Sequence, residues 1–372
     1  MENSIKMIKQ IERTHSGCGI PMLFGNICNL ANVSAFYIGE KAIGKGTVIS
    51  NIKPIGVKPR FDMNLNTLNL TTMFSKLGIK EDLANGMVPE NADSGVKDEK
   101  MLWRIDEWST LQEYHRNLFL TIGAELITER RFYHVSGSPS KPIILRIDNC
   151  DLVCFIGIQP RKYGTLMIKN ENWESLASDR FMKFCFVNPL RIDTTKQKPE
   201  YDFKPKLSIN EIVPIKSQLT VMKMTLHNQA TEDRTISYAR DLIRAYCKFE
   251  GYESVTLKAE IEFKQLFGFY LTLYDVMTYT ESLEDTEHFN IGAIRLLSAI
   301  CRYPNSTYKE LINYFKVFEK LGKEESYFKM IMEKGLLLEK NGYVSIVAHS
   351  EPHFEIGRRI NEYFNWYDSI RK

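Results

Sequence analysis

Several things are scarce in this 372-residue chain, and each scarcity excludes a class of protein. No apolar run approaches the ~20 residues a membrane-spanning helix requires, and the opening MENSIKMIKQ lacks the apolar core of a signal peptide. Those two absences predict a soluble, cytoplasmic protein without a membrane partner. There is no Gly-x-y period, no long Pro or Ser tract and no internal repeat, and with 12% aromatic residues the chain is not disorder-like. Cys-x-x-Cys is absent, and the seven histidines show no metal-ligand spacing, which excludes a structural zinc site. The seven cysteines (18, 28, 150, 154, 185, 247 and 301) are odd in number and mostly embedded in apolar runs such as Leu152-Val153-Cys154-Phe155. They read as buried free thiols in a reducing compartment. An excess of either charge is also missing: 49 basic residues face 46 acidic ones, a net +3, too little for a constitutive polyanion binder but compatible with a local basic patch.

What is present is ample apolar content, 44% hydrophobic, in a length suited to two or three domains. Short apolar runs at 34–38, 101–105, 152–158 and 184–187 are bounded by Gly, Asp or Pro and read as buried strands of a parallel sheet. Helical patterning lies between them, clearest over 111–127, so residues 34–191 are predicted to form an α/β domain behind an N-terminal segment at 1–33. Residues 86–100 read as a surface loop. Apolar periodicity disappears from 192, and 192–227 is assigned as a linker. Residues 228–288 read as helices, including 235–248 and 256–281. At 289–349, three short helices are followed by a hairpin pattern around Asn341-Gly342, the outline of a winged helix-turn-helix. A C-terminal helix at 350–372 carries the aromatic run Tyr363-Phe364-Asn365-Trp366-Tyr367, which reads as packing or a subunit contact.

The most informative stretch runs from an apolar strand into Gly39-Glu-Lys-Ala-Ile-Gly44-Lys45-Gly46-Thr47 and then a plausible helix. Glycines let backbone N–H groups curl inward around a phosphate, and the lysine neutralises β- and γ-phosphates. Gly39, Gly44, Lys45, Gly46 and Thr47 are therefore the predicted nucleotide-binding residues. Ser or Thr ordinarily follows the lysine directly, to ligate Mg²⁺; here Gly46 intervenes, so Thr47 is the predicted metal ligand, as in the Gly-Lys-Gly-Thr loops of nucleoside-monophosphate kinases. Downstream, Met101-Leu-Trp-Arg-Ile105 ends in Asp106-Glu107. A carboxylate at such a strand end suits Mg²⁺, and its neighbour suits activation of water, giving Asp106 as metal ligand and Glu107 as catalytic base. Read without the upstream loop, the pair would be a helix cap.

A third pattern comes next: a strand ending in Gln159-Pro160, then Asp179-Arg180-Phe181 leading into another strand. This order resembles the AAA+ P-loop ATPases, and within them the minichromosome maintenance (MCM) helicases and the helicase-like ATPases of viruses and mobile elements. The resemblance implies a P-loop NTPase core with a parallel sheet, a helical lid and a C-terminal winged helix. It makes Gln159 the residue that senses the γ-phosphate and Arg180 an arginine finger completing a neighbour's site. It implies ATP and Mg²⁺ as cofactors, DNA as partner, and a homo-oligomer such as a hexameric ring. It also implies a hairpin from 130–136 and 142–147 whose Lys141, with Arg130 and Arg131, contacts DNA phosphates, and it leaves a second sensor arginine open between Arg240 and Arg244. The chain departs from the family in its Gly-Lys-Gly-Thr loop, where the family has Ala-Lys-Ser, and in Gln for Asn at the sensor.

The 289–349 module holds nine basic and six acidic residues, an excess equal to that of the whole chain. Lys329, Lys334 and Lys340 are its candidate DNA contacts, though Glu324, Glu325 and Glu333 share the same helix. The implied activity is an ATP-hydrolysing motor or loader acting on DNA. Two alternatives stay open: a nucleotide-dependent DNA-binding switch with little turnover, and a small-molecule or nucleotide kinase.

Overall fold

The computed structural model describes residues 1–39, 44–55, 59, 61–64, 81–82, 100–138, 141–147, 149–159, 162–163, 180–185, 233–268, 270–271, 306–307, 309–310, 337–346, 363, 365–367 and 369–370. Two helices open the chain. In α1 (Glu2–Thr14), Ser4, Met7, Ile8 and Ile11 recur at helical spacing and are all buried. In α2 (Gly19–Ala31), apolar residues occupy every face and Gly19 through Asn29 are buried. Helix α2 ends where Asn32 takes the left-handed conformation that Asn tolerates well (φ 57°), with Val33 N–H bonding the Cys28 carbonyl at 2.9 Å.

Strand β1 (Ala35–Ile38) is followed by α3 (Lys45–Asn51), β2 (Phe61–Asn64), β3 (Glu81–Asp82), β4 (Lys100–Ile105) and α4 (Glu113–Glu129). Then come β5 (Phe132–Ser138), β6 (Lys141–Ile147), β7 (Asp151–Ile158) and β8 (Met182–Cys185). Five strands form one sheet in the order β2-β4-β7-β1-β8. Every pairing in it is parallel. The predicted strands over 34–38, 101–105 and 152–158 correspond to β1, β4 and β7, and the fourth, expected at 184–187, starts two residues earlier. All residues of β1, β4 and β8 are buried, as a parallel sheet covered on both faces demands.

The covers differ by face. Phe36 and Tyr37 point to opposite sides, as successive strand residues must. Phe36 meets Trp108, Tyr163 and Phe181. Tyr37 meets Phe24 of α2 and Phe184, and Phe184 stacks on Phe24 (4.4 Å) and on Tyr270 (4.6 Å). Helix α2 is thus a layer of the core, and the boundary drawn before Ser34 from the sequence runs through packed structure. Helices α5 (Asp233–Glu250) and α6 (Leu257–Phe263) complete that side: α5 packs on α1 and α2, and Tyr246 meets Phe263 and Phe267 edge-on.

Two further sheets stand apart. Strands β5 and β6 form the predicted hairpin, paired from Phe132↔Ile147 to Ser138↔Lys141, with β3 along β6. Strands β9 (Leu337–Lys340) and β10 (Tyr343–Ile346) pair through Asn341 and Gly342, both at positive φ (55° and 79°), the geometry an Asn-Gly hairpin turn requires. Thr307 bridges to Tyr343 beside them. The helices expected at 291–303 and 324–334 lie outside the described residues, as do most of the one expected at 307–315 and the linker at 192–227.

Candidate functional site

In an open parallel sheet, ligands bind beyond the carboxyl ends of the strands, where successive connections leave in opposite directions. Here that point lies between β1 and β7: from β1 the chain passes towards β2 on one side, and from β7 it passes to β8 on the other. Register brings the predicted groups to this edge. Ile38 pairs with Ile158, and Ile105 with Ile156, so Gly39, Gln159 and the Asp106-Glu107 pair follow three adjacent strand ends. The close approach requires a glycine at 157, where a Cβ would lie 2.2 Å from the Asp106 carbonyl oxygen. Any side chain at 157 would push the acidic pair out of place.

Lysine and acids meet across this edge. Gly44 adopts φ 93°, a left-handed turn suited to glycine, and its carbonyl accepts the Val48 N–H at 2.9 Å to start α3. Lys45 is buried, and its Nζ donates to Glu107 Oε2 at 3.0 Å. Ser109 Oγ donates to the other Glu107 oxygen at 3.2 Å. Asp106, exposed, accepts a hydrogen bond from Ser50 Oγ at 2.6 Å. Gly46 lies on the same flank of α3, where an added Cβ would stand 3.8 Å from the Asp106 Cβ. The helix is anchored from behind by Arg104, whose guanidinium donates to the Ile52 carbonyl at 2.6 Å and pairs with Asp62 of β2. This charged interruption of an apolar strand is therefore a brace between α3, β2 and β4.

The remaining predicted residues divide by position. The Gly39 N–H bonds the Ile158 carbonyl at 3.0 Å, so it extends the sheet ladder and is not directed at a ligand. Thr47 is half-buried, and the hydroxyl bonded to Asp106 is that of Ser50. Residues 40–43 of the loop lie outside the described residues. Arg180 sits before β8, at the amino end of the sheet, with its Nε on Thr128 Oγ1 at 2.5 Å. Arg130 ends α4 in a left-handed conformation (φ 57°) and pairs with Asp151 at 2.9 Å, while exposed Arg131 lies 3.9 Å from Glu129. Lys141 opens β6 at the tip of the hairpin pairing, and Lys340 is exposed at the end of β9. Lys329 and Lys334 lie outside the described residues. Arg244 pairs with Asp241 at 3.4 Å, and Arg240 is exposed on the same helix.

The donor set suits a hard cation. Asp106 and Ser50 offer oxygen only, and no cluster of three His, Cys, Asp or Glu able to hold a metal occurs among the described residues. Mg²⁺ needs no such cage, since it keeps several waters and is bound by one or two carboxylates together with substrate phosphates. Burial pushes the Cys18, Cys28 and Cys154 thiols upward and Cys247 to about 12, which disfavours thiolates at these four positions, and the six described cysteines are all buried. No described helix is long and apolar enough to cross a membrane.

No protein-family model matches this chain, and no curated protein matches it. Among solved structures, it is similar to the ORC2 protein of Aeropyrum pernix in its ADPNP and ADP complexes. That similarity is 10% identity over 91% of this chain and 89% of the other, with a TM-score of 0.24. A likeness at that TM-score carries no argument about function; the geometry of the sheet edge does.

Sequence reasoning missed Ser50, Ser109, Gly157 and the Arg104 brace. Two of these carry a local signal: Gly157, a glycine inside an otherwise apolar strand, which often marks a close backbone approach, and Arg104, a charge inside an apolar run.

Proposed function

We propose that this protein is a nucleoside-triphosphate hydrolase that binds ATP with Mg²⁺ and works as an oligomer on DNA, an AAA+-like motor or loader. The observation that carries the proposal is the contact of Lys45 with Glu107, 62 residues apart in sequence, beside Asp106 at the carboxyl edge of a parallel sheet. A phosphate-loop lysine and an acidic pair brought together at a switch point are what phosphoryl transfer needs, since that chemistry depends on positioning and charge neutralisation.

We assign each residue a part that its place supports. Gly44 turns the loop and Lys45 neutralises the terminal phosphates. Asp106 holds the Mg²⁺, which when bound withdraws charge from the phosphate oxygens. Glu107, released from Lys45 by the incoming phosphates, orients the attacking water and takes its proton. Gln159, half-buried at the end of β7, reports on the γ-phosphate. Arg180, at the opposite end of the sheet, serves the site of an adjacent subunit. The β5–β6 hairpin, with Lys141 at its tip, and the β9–β10 hairpin of a winged helix, with Lys340, supply the DNA contacts.

The test is phosphate release measured against protein concentration, alone and with single- or double-stranded DNA. A specific rate that climbs with concentration and is stimulated by DNA is the expected result. Wild-type protein that binds ATP but never hydrolyses it would favour a nucleotide-dependent switch. A monomer that phosphorylates a nucleotide or small molecule would make it a kinase.

A further inference from the structure

The loop lacks a hydroxyl directly after its lysine, because position 46 is glycine. A different hydroxyl, that of Ser50, stands against Asp106. On an α-helix, residues four apart share a face, so Ser50 stands one turn beyond Gly46 on the same flank of α3. Both face the end of β4: an added Cβ at Gly46 would lie 3.8 Å from the Asp106 Cβ, and Ser50 Oγ donates to Asp106 Oδ1 at 2.6 Å. Helix α3 is held in that rotation by Arg104, bonded to the Ile52 carbonyl, and by burial of Val48 and Ile49 on its inner side.

The geometry points to Ser50, rather than Thr47, as the hydroxyl of the magnesium site: a positioning residue that fixes the Asp106 carboxylate towards the cation and adds an oxygen beside it. The inference rests on the ATP–Mg²⁺ reading of this site. Its physical content is that of an outer-sphere hydrogen bond orienting a ligating carboxylate. Without the bond, Asp106, an exposed side chain, samples several rotamers and must be ordered when the cation binds.

The experiment measures the affinity of a fluorescent ATP analogue with Mg²⁺ and again in EDTA, and Mn²⁺ binding by its electron paramagnetic resonance signal in the nucleotide complex. Ser50→Ala should leave the EDTA affinity within about twofold and weaken the divalent-ion contribution about 10- to 100-fold, the usual effect of losing such a support. Ser50→Thr should keep the wild-type ratio. The decisive variant moves the hydroxyl one turn back. Gly46→Ser combined with Ser50→Ala should recover much of the loss, since a serine at 46 meets only ordinary van der Waals contact at Asp106. Thr47→Ala should leave the ratio unchanged. A Ser50→Ala protein with the wild-type metal contribution overturns the inference, as does equal weakening with and without metal. A wild-type protein that binds no nucleotide in either condition overturns the nucleotide site itself.

Discussion

Replacing Glu107 by glutamine should make this protein bind ATP more tightly while hydrolysing it far more slowly. Lys45 Nζ lies 3.0 Å from Glu107 Oε2, with the lysine 6% and the glutamate 22% exposed. At an effective dielectric of about 20, two unit charges at that separation attract by about 5.5 kcal/mol, most of which is offset by desolvation and side-chain ordering. A net worth of about 1–2 kcal/mol remains for a partly buried, charge-assisted bond. Phosphates must take Lys45 from Glu107 before they bind it, so that energy is subtracted from ATP affinity. Glutamine keeps the shape and removes the charge, so the dissociation constant should fall about 5- to 30-fold. Hydrolysis, deprived of its base, should drop by roughly 10²–10⁴. Fluorescent-analogue titration reads the first effect and single-turnover phosphate release the second. The same change made in a Lys45→Ala background should give no gain in affinity, since the competing pair is already gone. Affinity that is unchanged or weaker in Glu107→Gln would refute the reasoning about competition. Undiminished hydrolysis would refute the role of the glutamate.

Other parts of the structure carry three more expected outcomes. Gly157→Ala should destabilise the fold by about 1–3 kcal/mol in chemical denaturation and weaken nucleotide binding, because the new methyl group meets first the Asp106 backbone, which cannot swing away, and then the Ile49 side chain. Arg180→Ala should leave ATP affinity within about twofold while cutting hydrolysis by about 10³-fold or more, and mixing it with Lys45→Ala protein should restore part of the activity through hybrid neighbours. Lys100 is buried with its Nζ on the Asn29 carbonyl, and burial lowers its pKa from 10.5 to about 8, with Asp151 pulling the other way. Between those values the unfolded chain holds the extra proton, so stability should rise with pH across that window, by up to about 3 kcal/mol. Denaturation midpoints from about pH 7 to 9.5 should show the rise in wild type and a flatter profile in Lys100→Met. Parallel profiles would exclude Lys100 as its source.

The parts of this molecule legible in the sequence are those whose signal is local. Strands β1, β4 and β7 announce themselves as apolar runs because both faces of a parallel sheet are covered. The β9–β10 hairpin follows from its Asn-Gly turn, and the β5–β6 hairpin from the turn residues Gly137-Ser-Pro-Ser-Lys141 together with the family resemblance. Strand β2 gives no such run: Asp62 and Asn64 are exposed along it, as an edge position allows. Helix α2 is hidden by the opposite problem, since apolar residues all round erase the amphipathic period. The same division holds at the site. Lys45, Asp106 and Glu107 are legible from motif spacing, whereas Ser50 is defined by a helical turn and a long-range bond, neither of which a linear motif displays. Gly39 fits the motif by spacing, yet its N–H is taken up by the Ile158 carbonyl, one hydrogen bond past the end of β1.

The sheet also decides how Arg180 can act. Strand β8 runs parallel to β1 with Met182 level with Ala35, so Arg180 lies beyond the amino end of β1 while Lys45 lies beyond its carboxyl end. The four residues of β1 alone separate those edges by about 13 Å at the usual rise, before the loop to Lys45 is added. An arginine at one edge therefore does not serve the lysine at the other within one subunit. Helix α4 makes the separation structural: it begins just after Glu107 and Trp108 and ends at Glu129, 17 residues or about 25 Å away, with Thr128 holding Arg180. On the proposed reading, each subunit would then carry two half-sites, at the two ends of one helix. If Arg180 contributes to hydrolysis, it does so between subunits, and the specific rate must fall on dilution. A rate independent of protein concentration down to the monomeric range, together with a loss of activity in Arg180→Ala, would contradict this geometry.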